Sequence, residues 1–191
     1  MLVLIGPTCS GKDTLTKELC KYFGFVRVLE HTTRTMREGE ANGKDYWFVS
    51  NEEFKKLVDN GDLIGVREFN RYQNGKNETV YYGTNKNNMF TSPQNILTTN
   101  IGAAKLLKQH AYDLDLPLYI IGIQVDEDIQ RERLAGRNDD PQEIEKRLAT
   151  DKIAYADLDE IADHIIVNNG DKSISALAIE VSELYDDWCK G

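Results

Sequence analysis

An uninterrupted apolar run, Leu2-Val3-Leu4-Ile5, opens the chain and predicts a core strand. Glycine-bounded residues 6–11 separate it from Leu15-Thr16-Lys17-Glu18-Leu19-Cys20, which predicts a helix that stops near Tyr22-Phe23-Gly24. A second strand is predicted over Phe25-Val26-Arg27-Val28-Leu29, and a short one over Tyr46-Trp47-Phe48-Val49, after a hairpin-type turn at Asn42-Gly43. Ser50-Asn51-Glu52-Glu53 is a capping box, so a short helix runs from there towards Asn60-Gly61. Asn70 to Thr79 is polar and predicts an extended hairpin tip. Gln94 to Asn100 reads as a strand, and Ile101 to Tyr112 as an amphipathic helix with Ala104, Leu107 and Ala111 on one side. The apolar run Leu118 to Val125 predicts a strand buried on both faces. Asp126 caps the next helix, and Pro141 opens another that runs to about Asp159. His164-Ile165-Ile166-Val167 is the last predicted strand, followed by a turn at Asn168-Asn169-Gly170 and a final helix from Lys172 to Cys189.

The chemistry begins in the first loop. Gly6-Pro7-Thr8-Cys9-Ser10-Gly11-Lys12 fits G-x-x-x-x-G-K, between a strand and a helix. Backbone N–H groups of such a loop wrap phosphate oxygens, the helix N-terminus favours anions, and Lys12 reaches the terminal phosphates. The position that usually carries a Ser or Thr hydroxyl for Mg²⁺ is Asp13, with Thr14 next. Either the Asp13 carboxylate takes the metal, directly or through water, or Thr14 supplies the hydroxyl.

Composition narrows the partners. The 191 residues suit one folding unit, and 40% hydrophobic with 29% charged residues is ordinary for a globular protein. No apolar run reaches membrane-span length, and Met1 leads straight into a core strand with no signal-peptide pattern, so a cytoplasmic location is expected. Cys9, Cys20 and Cys189 have no paired spacing, which argues for reduced thiols. A net charge of −9 disfavours nucleic acid and anionic membrane as partners. Yet arginines concentrate in two segments, Arg34 with Arg37, and Arg131, Arg133, Arg137 with Arg147. An acidic chain that gathers its arginines this way suits a small polyanion. Arg34 and Arg37, among threonines and a glycine turn, suit a phosphate monoester, because guanidinium forks pair with its oxygens. The three histidines stand in no metal-binding or nucleophile spacing.

The loop, then Thr32-Thr33-Arg34-Thr35-Met36-Arg37-Glu38-Gly39-Glu40, Gly43-Lys44-Asp45-Tyr46, Tyr81-Tyr82-Gly83-Thr84, Arg133-Leu134-Ala135-Gly136-Arg137, Lys146-Arg147-Leu148 and Ile165-Ile166-Val167-Asn168-Asn169 occur in one colinear order. Taken together they resemble the guanylate kinase family over nearly the whole chain. The resemblance implies a P-loop NTPase-type parallel sheet flanked by helices, with an inserted mixed α/β nucleoside-monophosphate subdomain and a helical lid. The corresponding spans are about 1–29, 85–128 and 148–191 for the core, about 30–84 for the subdomain and about 129–147 for the lid. It implies an ATP- and Mg²⁺-dependent kinase acting on GMP or dGMP, with small nucleotides as partners and a monomer or homodimer as the assembly. By resemblance Gly6 to Thr14 bind ATP, with Lys12 catalytic. Arg133, Arg137 and Arg147 clamp the donor and transferred phosphates, whereas Arg131 reads as a surface residue. Arg34, Arg37, Tyr46 and Tyr82 match the acceptor-phosphate residues, and Thr84 a small hydroxyl residue of the acceptor site.

The chain departs from the pattern at three further places. The family's base-reading serine falls at Glu30 or His31, and its base-reading glutamate at Gly65, with Glu68 near if the register slips. An aspartate pair at the end of the Gln94–Asn100 strand is replaced by Thr98 and Asn100, a loss that Asp13 could offset. Two alternatives follow: the same phosphoryl transfer to another nucleotide or a sugar phosphate, and a silent protein-binding module. Intact Lys12 and the lid arginines speak against the second.

Overall fold

The computed structural model describes residues 1–73, 76–136 and 141–191. Its centre is a five-stranded, all-parallel sheet of β1 (Leu2–Ile5), β2 (Val26–Arg27), β7 (Asn95–Thr98), β8 (Tyr119–Gln124) and β9 (His164–Val167), in the order β2-β7-β1-β8-β9. β1 is apolar at every position because the sheet is covered on both faces. Leu2 and Leu4 face one core cluster with Leu15, Leu19, Leu177 and Tyr185. Val3 and Ile5 face the other, with Ala104, Leu107 and Leu158. The first cluster lies under helices α1 (Lys12–Tyr22) and α7 (Ile174–Lys190), and the second under α3 (Ile101–Asp113) and α6 (Leu158–Ile161). Tyr185 anchors the C-terminal helix, its hydroxyl donating to the Pro93 carbonyl.

A second sheet, β4-β3-β6-β5, rises beside the first from β3 (Glu30–Thr32), β4 (Trp47–Phe48), β5 (Leu63–Gln73) and β6 (Lys76–Asn85). Its helix α2 (Asn51–Asp59) carries the predicted capping box, with Ser50 Oγ accepting from Glu53 N and the Glu53 carboxylate accepting from Ser50 N. Helices α4 (Glu127–Ala135) and α5 (Pro141–Ala154) pack on each other through Leu134, Ile144 and Leu148. No helix among the described residues is long and apolar enough to cross a membrane.

Three local expectations shift. The second strand shrinks to Val26–Arg27, because it is a sheet edge with Val26 58% exposed. Asn42-Gly43 joins no hairpin: β4 runs parallel to β3, and the loop instead folds back on its own exit, Gly43 N donating to Tyr46 O and Asn42 Oδ1 accepting from Phe48 N. Gly43 holds φ +74°, which an Asn-Gly step tolerates in this loop as readily as in a hairpin. The long helix from Pro141 breaks after Ala154, where Tyr155 turns into the core cluster before α6 begins. The extended hairpin appears as long antiparallel strands β5 and β6, while its tip at 74–75 lies outside the described residues.

Candidate active site

The glycine loop stands at the C-terminal end of β1, the edge of a parallel sheet where ligands characteristically bind. Gly6 is fixed by space: a Cβ there would lie 2.4 Å from the Ile123 carbonyl oxygen. Gly11 is fixed by both conformation and space, with φ +95° and only 2.4 Å from a notional Cβ to Asn168 Nδ2. That Asn168 amide donates to the Ser10 carbonyl, so β9 braces the loop. Gly11→Ala is expected to lower unfolding free energy by about 2–3 kcal/mol, from left-handed strain plus loss of that bond. Denaturant unfolding checks it, and wild-type stability would contradict the tight fit.

Lys12 Nζ donates to the Gly6 carbonyl at 2.6 Å, the Pro7 carbonyl at 2.6 Å and Ser10 Oγ at 3.2 Å, which places its ammonium across the mouth of the loop. The Thr8 N–H donates to Asp151 Oδ2 at 2.7 Å, and buried Gln130 donates to the same oxygen at 2.7 Å. Sequence reasoning missed this link between the loop, α4 and α5, since nothing in the spacing of Gln130 and Asp151 marks it. Arg133 reaches the loop, NH1 donating to Cys9 O at 3.2 Å. Arg147 sits one helix away and donates from Nε to Glu143 at 3.1 Å. Arg131 is bound in a surface network with Glu127, Asp128 and Glu145, as a solvated face should be. Arg137 lies outside the described residues.

Asp13 and Thr14 are exposed on the first turn of α1. Asp13 Oδ1 accepts from Arg27 at 3.1 Å, and its side chain is 64% exposed. Of the two residues replacing the expected aspartates, Thr98 bonds Thr16 through their hydroxyls at 2.7 Å, and Asn100 caps α3 by accepting from Ala103 N. Both are occupied with holding the core together.

On the second sheet, Arg34 is 3% exposed and gripped by Glu40, NH1 and NH2 donating to the two carboxylate oxygens at 2.9 and 2.8 Å. Glu40 also accepts from Arg37 N at 2.7 Å, which ties both arginines of the segment to one carboxylate. Burial works against the Arg34 charge, but Glu40 and Tyr82 outweigh it and hold its guanidinium above the ordinary range. Burial likewise opposes ionised Glu40, while Arg34 and the Arg37 N–H hold its carboxyl lower than usual. The Arg34 guanidinium lies 5.4 Å from the Tyr46 ring centre, and Tyr46 meets Tyr82 edge-on at 5.9 Å. Burial, then the negative charges of Glu30 and Asp13, push the Tyr46 hydroxyl up, so it remains a proton donor. Glu30 of the second sheet accepts from Thr99, whose N–H donates to Leu4 of β1, so the second sheet meets the central sheet at the end of β1 that carries the loop. Tyr81, on the opposite face from Tyr82, stacks on Phe54 and is structural.

Glu30 is 4% exposed. Its Oε1 accepts from Thr99 Oγ1 at 3.0 Å and Thr84 Oγ1 at 3.3 Å, and its Oε2 accepts from Arg67 NH2 at 2.8 Å. Glu68 is exposed on the other side of β5. Sequence reasoning singled out Glu30 as a departure and missed Arg67, because a β-bulge between Ile64 and Arg67 changes the strand's facing at that point.

The site so described is a glycine loop at the end of β1 and a buried arginine–tyrosine cluster on the second sheet. A family model described as guanylate kinase matches residues 1–183. The chain belongs to the guanylate kinase family. It is 34% identical over 190 residues to the guanylate kinase of Sus scrofa, covering 95% of this chain and 91% of that one. It is 32% identical to that of Homo sapiens, covering 95% and 92%. The guanylate kinase of Helicobacter pylori is 33% identical over 176 residues, covering 88% and 79%. The crystal structure of guanylate kinase from Anaplasma phagocytophilum superposes with a TM-score of 0.68 at 22% identity, over 98% of this chain and 84% of the other. The family therefore shares this chain's fold as well as its sequence pattern.

Proposed function

We propose that this chain transfers the γ-phosphoryl group of ATP to GMP or dGMP, giving ADP and the corresponding diphosphate. The observation that carries the reading is the junction of the two sheets beside the loop, where Glu30 of the second sheet accepts from Thr99 Oγ1 at 3.0 Å and the Thr99 N–H donates to Leu4 of β1. A donor and an acceptor phosphate can therefore be bound face to face. Transfer of this kind proceeds through a loose transition state that needs positioning and charge stabilisation, with no covalent nucleophile. Gly6 to Thr14 wrap the donor phosphates, and Lys12 leaves the loop carbonyls for the β- and γ-phosphates. Arg34, Arg37, Tyr46 and Tyr82 bind the acceptor phosphate, with Thr84 deeper in the acceptor site. Arg133, Arg137 and Arg147 close over the charge that develops between the two nucleotides. Residues of about 1–29, 85–128 and 148–191 form the core in this proposal, about 30–84 the acceptor subdomain and about 129–147 the lid. Closing the two excludes water and suppresses hydrolysis.

Mg²⁺ fits the residues present. Asp13 offers an exposed carboxylate directly after Lys12, and Mg²⁺ is usually held by one or two carboxylates together with substrate phosphates. Thr14 adds a neighbouring hydroxyl. The ion supplies charge neutralisation on the phosphates.

A coupled ADP-release assay tests the reading, with ATP, Mg²⁺ and a panel of GMP, dGMP, AMP, CMP, UMP, dTMP and ribose phosphates. GMP or dGMP is expected to lead, with turnover lost on chelation by EDTA. Turnover led by any other acceptor would overturn the guanine reading.

A further inference from the structure

We propose that Glu30 and Arg67 together read the lactam edge of the acceptor base, the ring N–H and the carbonyl beside it. This rests on the acceptor site proposed above. Arg67 lies against that site, its guanidinium 5.3 Å from the ring centre of Tyr82, which meets Tyr46 edge-on, and Tyr46 in turn lies under Arg34. Glu30 pairs across the sheet with Thr84, and through Thr99 it meets the end of the central sheet. The pair therefore lies between the arginine–tyrosine cluster and the end of the central sheet.

The hydrogen-bond inventory carries the inference. Arg67 NH2 donates to Glu30 and NH1 to the Gly65 carbonyl at 3.1 Å, yet its Nε–H is buried and has no partner among the described residues. An orphaned buried donor of this kind calls for an acceptor that the protein alone does not supply. Glu30 Oε2 has Arg67 as its one recorded donor, and a carboxylate oxygen can accept two. A buried ion pair adds little stability over a packed apolar pair, so stability alone does not account for this one.

Local geometry explains why the charges sit at these two positions. Pairing runs Ile64 with Thr84 and then Arg67 with Tyr82, so one extra residue on β5 turns Arg67 towards Glu30. Gly65 at φ +63° makes that bulge, and a Cβ there would come 3.1 Å from Ala103 Cβ. Position 65 thus has poor room for a side chain, and its carbonyl oxygen serves as an acceptor for Arg67 NH1.

An acceptor and a donor side by side complement a ring N–H next to a carbonyl. Guanine and hypoxanthine present N1–H beside O6, and uracil and thymine present N3–H beside O4. Adenine and cytosine present the reverse, a ring acceptor beside an amino group, and when held in the same pose by the phosphate site would leave Glu30 and Arg67 facing like partners. Sites built around such buried polar groups reject mismatched edges strongly.

The test compares GMP, IMP, AMP, dTMP and 1-methyl-GMP in the wild type, Glu30→Gln and Arg67→Gln. In the wild type IMP is expected to stay within about tenfold of GMP in kcat/KM, because the two share the edge, whereas 1-methyl-GMP falls about 100-fold or more. In Glu30→Gln, kcat/KM for GMP is expected to fall about 30-fold or more, with KM for ATP within twofold and the 1-methyl penalty largely gone. Arg67→Gln should likewise lower the GMP to AMP ratio at least about tenfold. The 1-methyl-GMP comparison uses the unmodified chain, so a variant that fails to fold leaves the test standing. A wild type indifferent to N1 methylation, or folded variants with an unchanged GMP to AMP ratio, overturns the inference. If dTMP proves the best wild-type substrate and Glu30→Gln removes it, the guanine assignment fails while the edge reading stands. A wild type that prefers AMP or CMP overturns both.

Discussion

Lys12→Met is expected to reduce kcat by about 10³-fold or more while leaving the unfolding transition close to that of the wild type, a barrier change of about 4 kcal/mol. Two facts underlie the split between activity and stability. The ammonium's recorded partners include the Gly6 and Pro7 carbonyls and the Ser10 hydroxyl, at the edge of the loop rather than inside the core. Methionine keeps most of the apolar stem and forms helix as readily as lysine, so α1 still starts at its glycine cap. On the proposed reading it removes a point charge from the phosphates as negative charge shifts during transfer, where a preorganised cation acts most strongly. Single-turnover kinetics with ATP and GMP, beside a thermal melt, separates the two effects. A variant within about tenfold of wild-type kcat would remove Lys12 from the machinery and, with it, the phosphate reading of the loop.

The elements that the sequence made legible are those whose cause is local. β1 is readable because burial on both faces demands four apolar residues in a row. Gly6 and Gly11 are readable because no side chain fits at either place. The Ser50 cap is readable because both of its bonds lie within three residues. Arg34 and Arg37 stood out for the same reason, and Glu40, the residue that holds them, belongs to that short segment. Illegible features depend on partners far along the chain or on register. Asp151 meets Thr8 across 143 positions, and Asn168 meets Ser10 across 158. Arg67 faces Glu30 only because one residue bulges out of β5, and a strict alternation would have turned its neighbours inward instead. The parallel pairing of β3 with β4 is of the same kind, since Asn42-Gly43 carries the local signal of a hairpin whatever strand it adjoins.

Arg34→Lys tests the acceptor half of the site and is expected to cost both function and stability. Lysine keeps the charge but loses the planar fork, so it cannot match the two parallel bonds to Glu40 at 2.9 and 2.8 Å while still facing a phosphate. The recorded contacts of Glu40 would then reduce to the Arg37 N–H, leaving a largely buried carboxylate under-paired at a cost of about 2–3 kcal/mol. Tyr46 and Phe48 would also lose the guanidinium that lies over their rings at 5.4 and 5.3 Å. In kinetics, kcat/KM for the acceptor should fall about 100-fold, with most of the change in acceptor KM and with KM for ATP nearly constant. The asymmetry follows from place: Arg34 belongs to the second sheet, whereas the loop and its braces Asn168 and Asp151 belong to the first sheet and its helices. Glu40→Gln separates a bound phosphate from mere support. It leaves Arg34 in place, frees part of its fork, and should lower stability while moving acceptor KM far less than Arg34→Lys does. Equal effects of the two variants on acceptor KM would mean that Arg34 and Glu40 only brace the strand, and the acceptor phosphate would then have to be held by Arg37, Tyr46 and Tyr82.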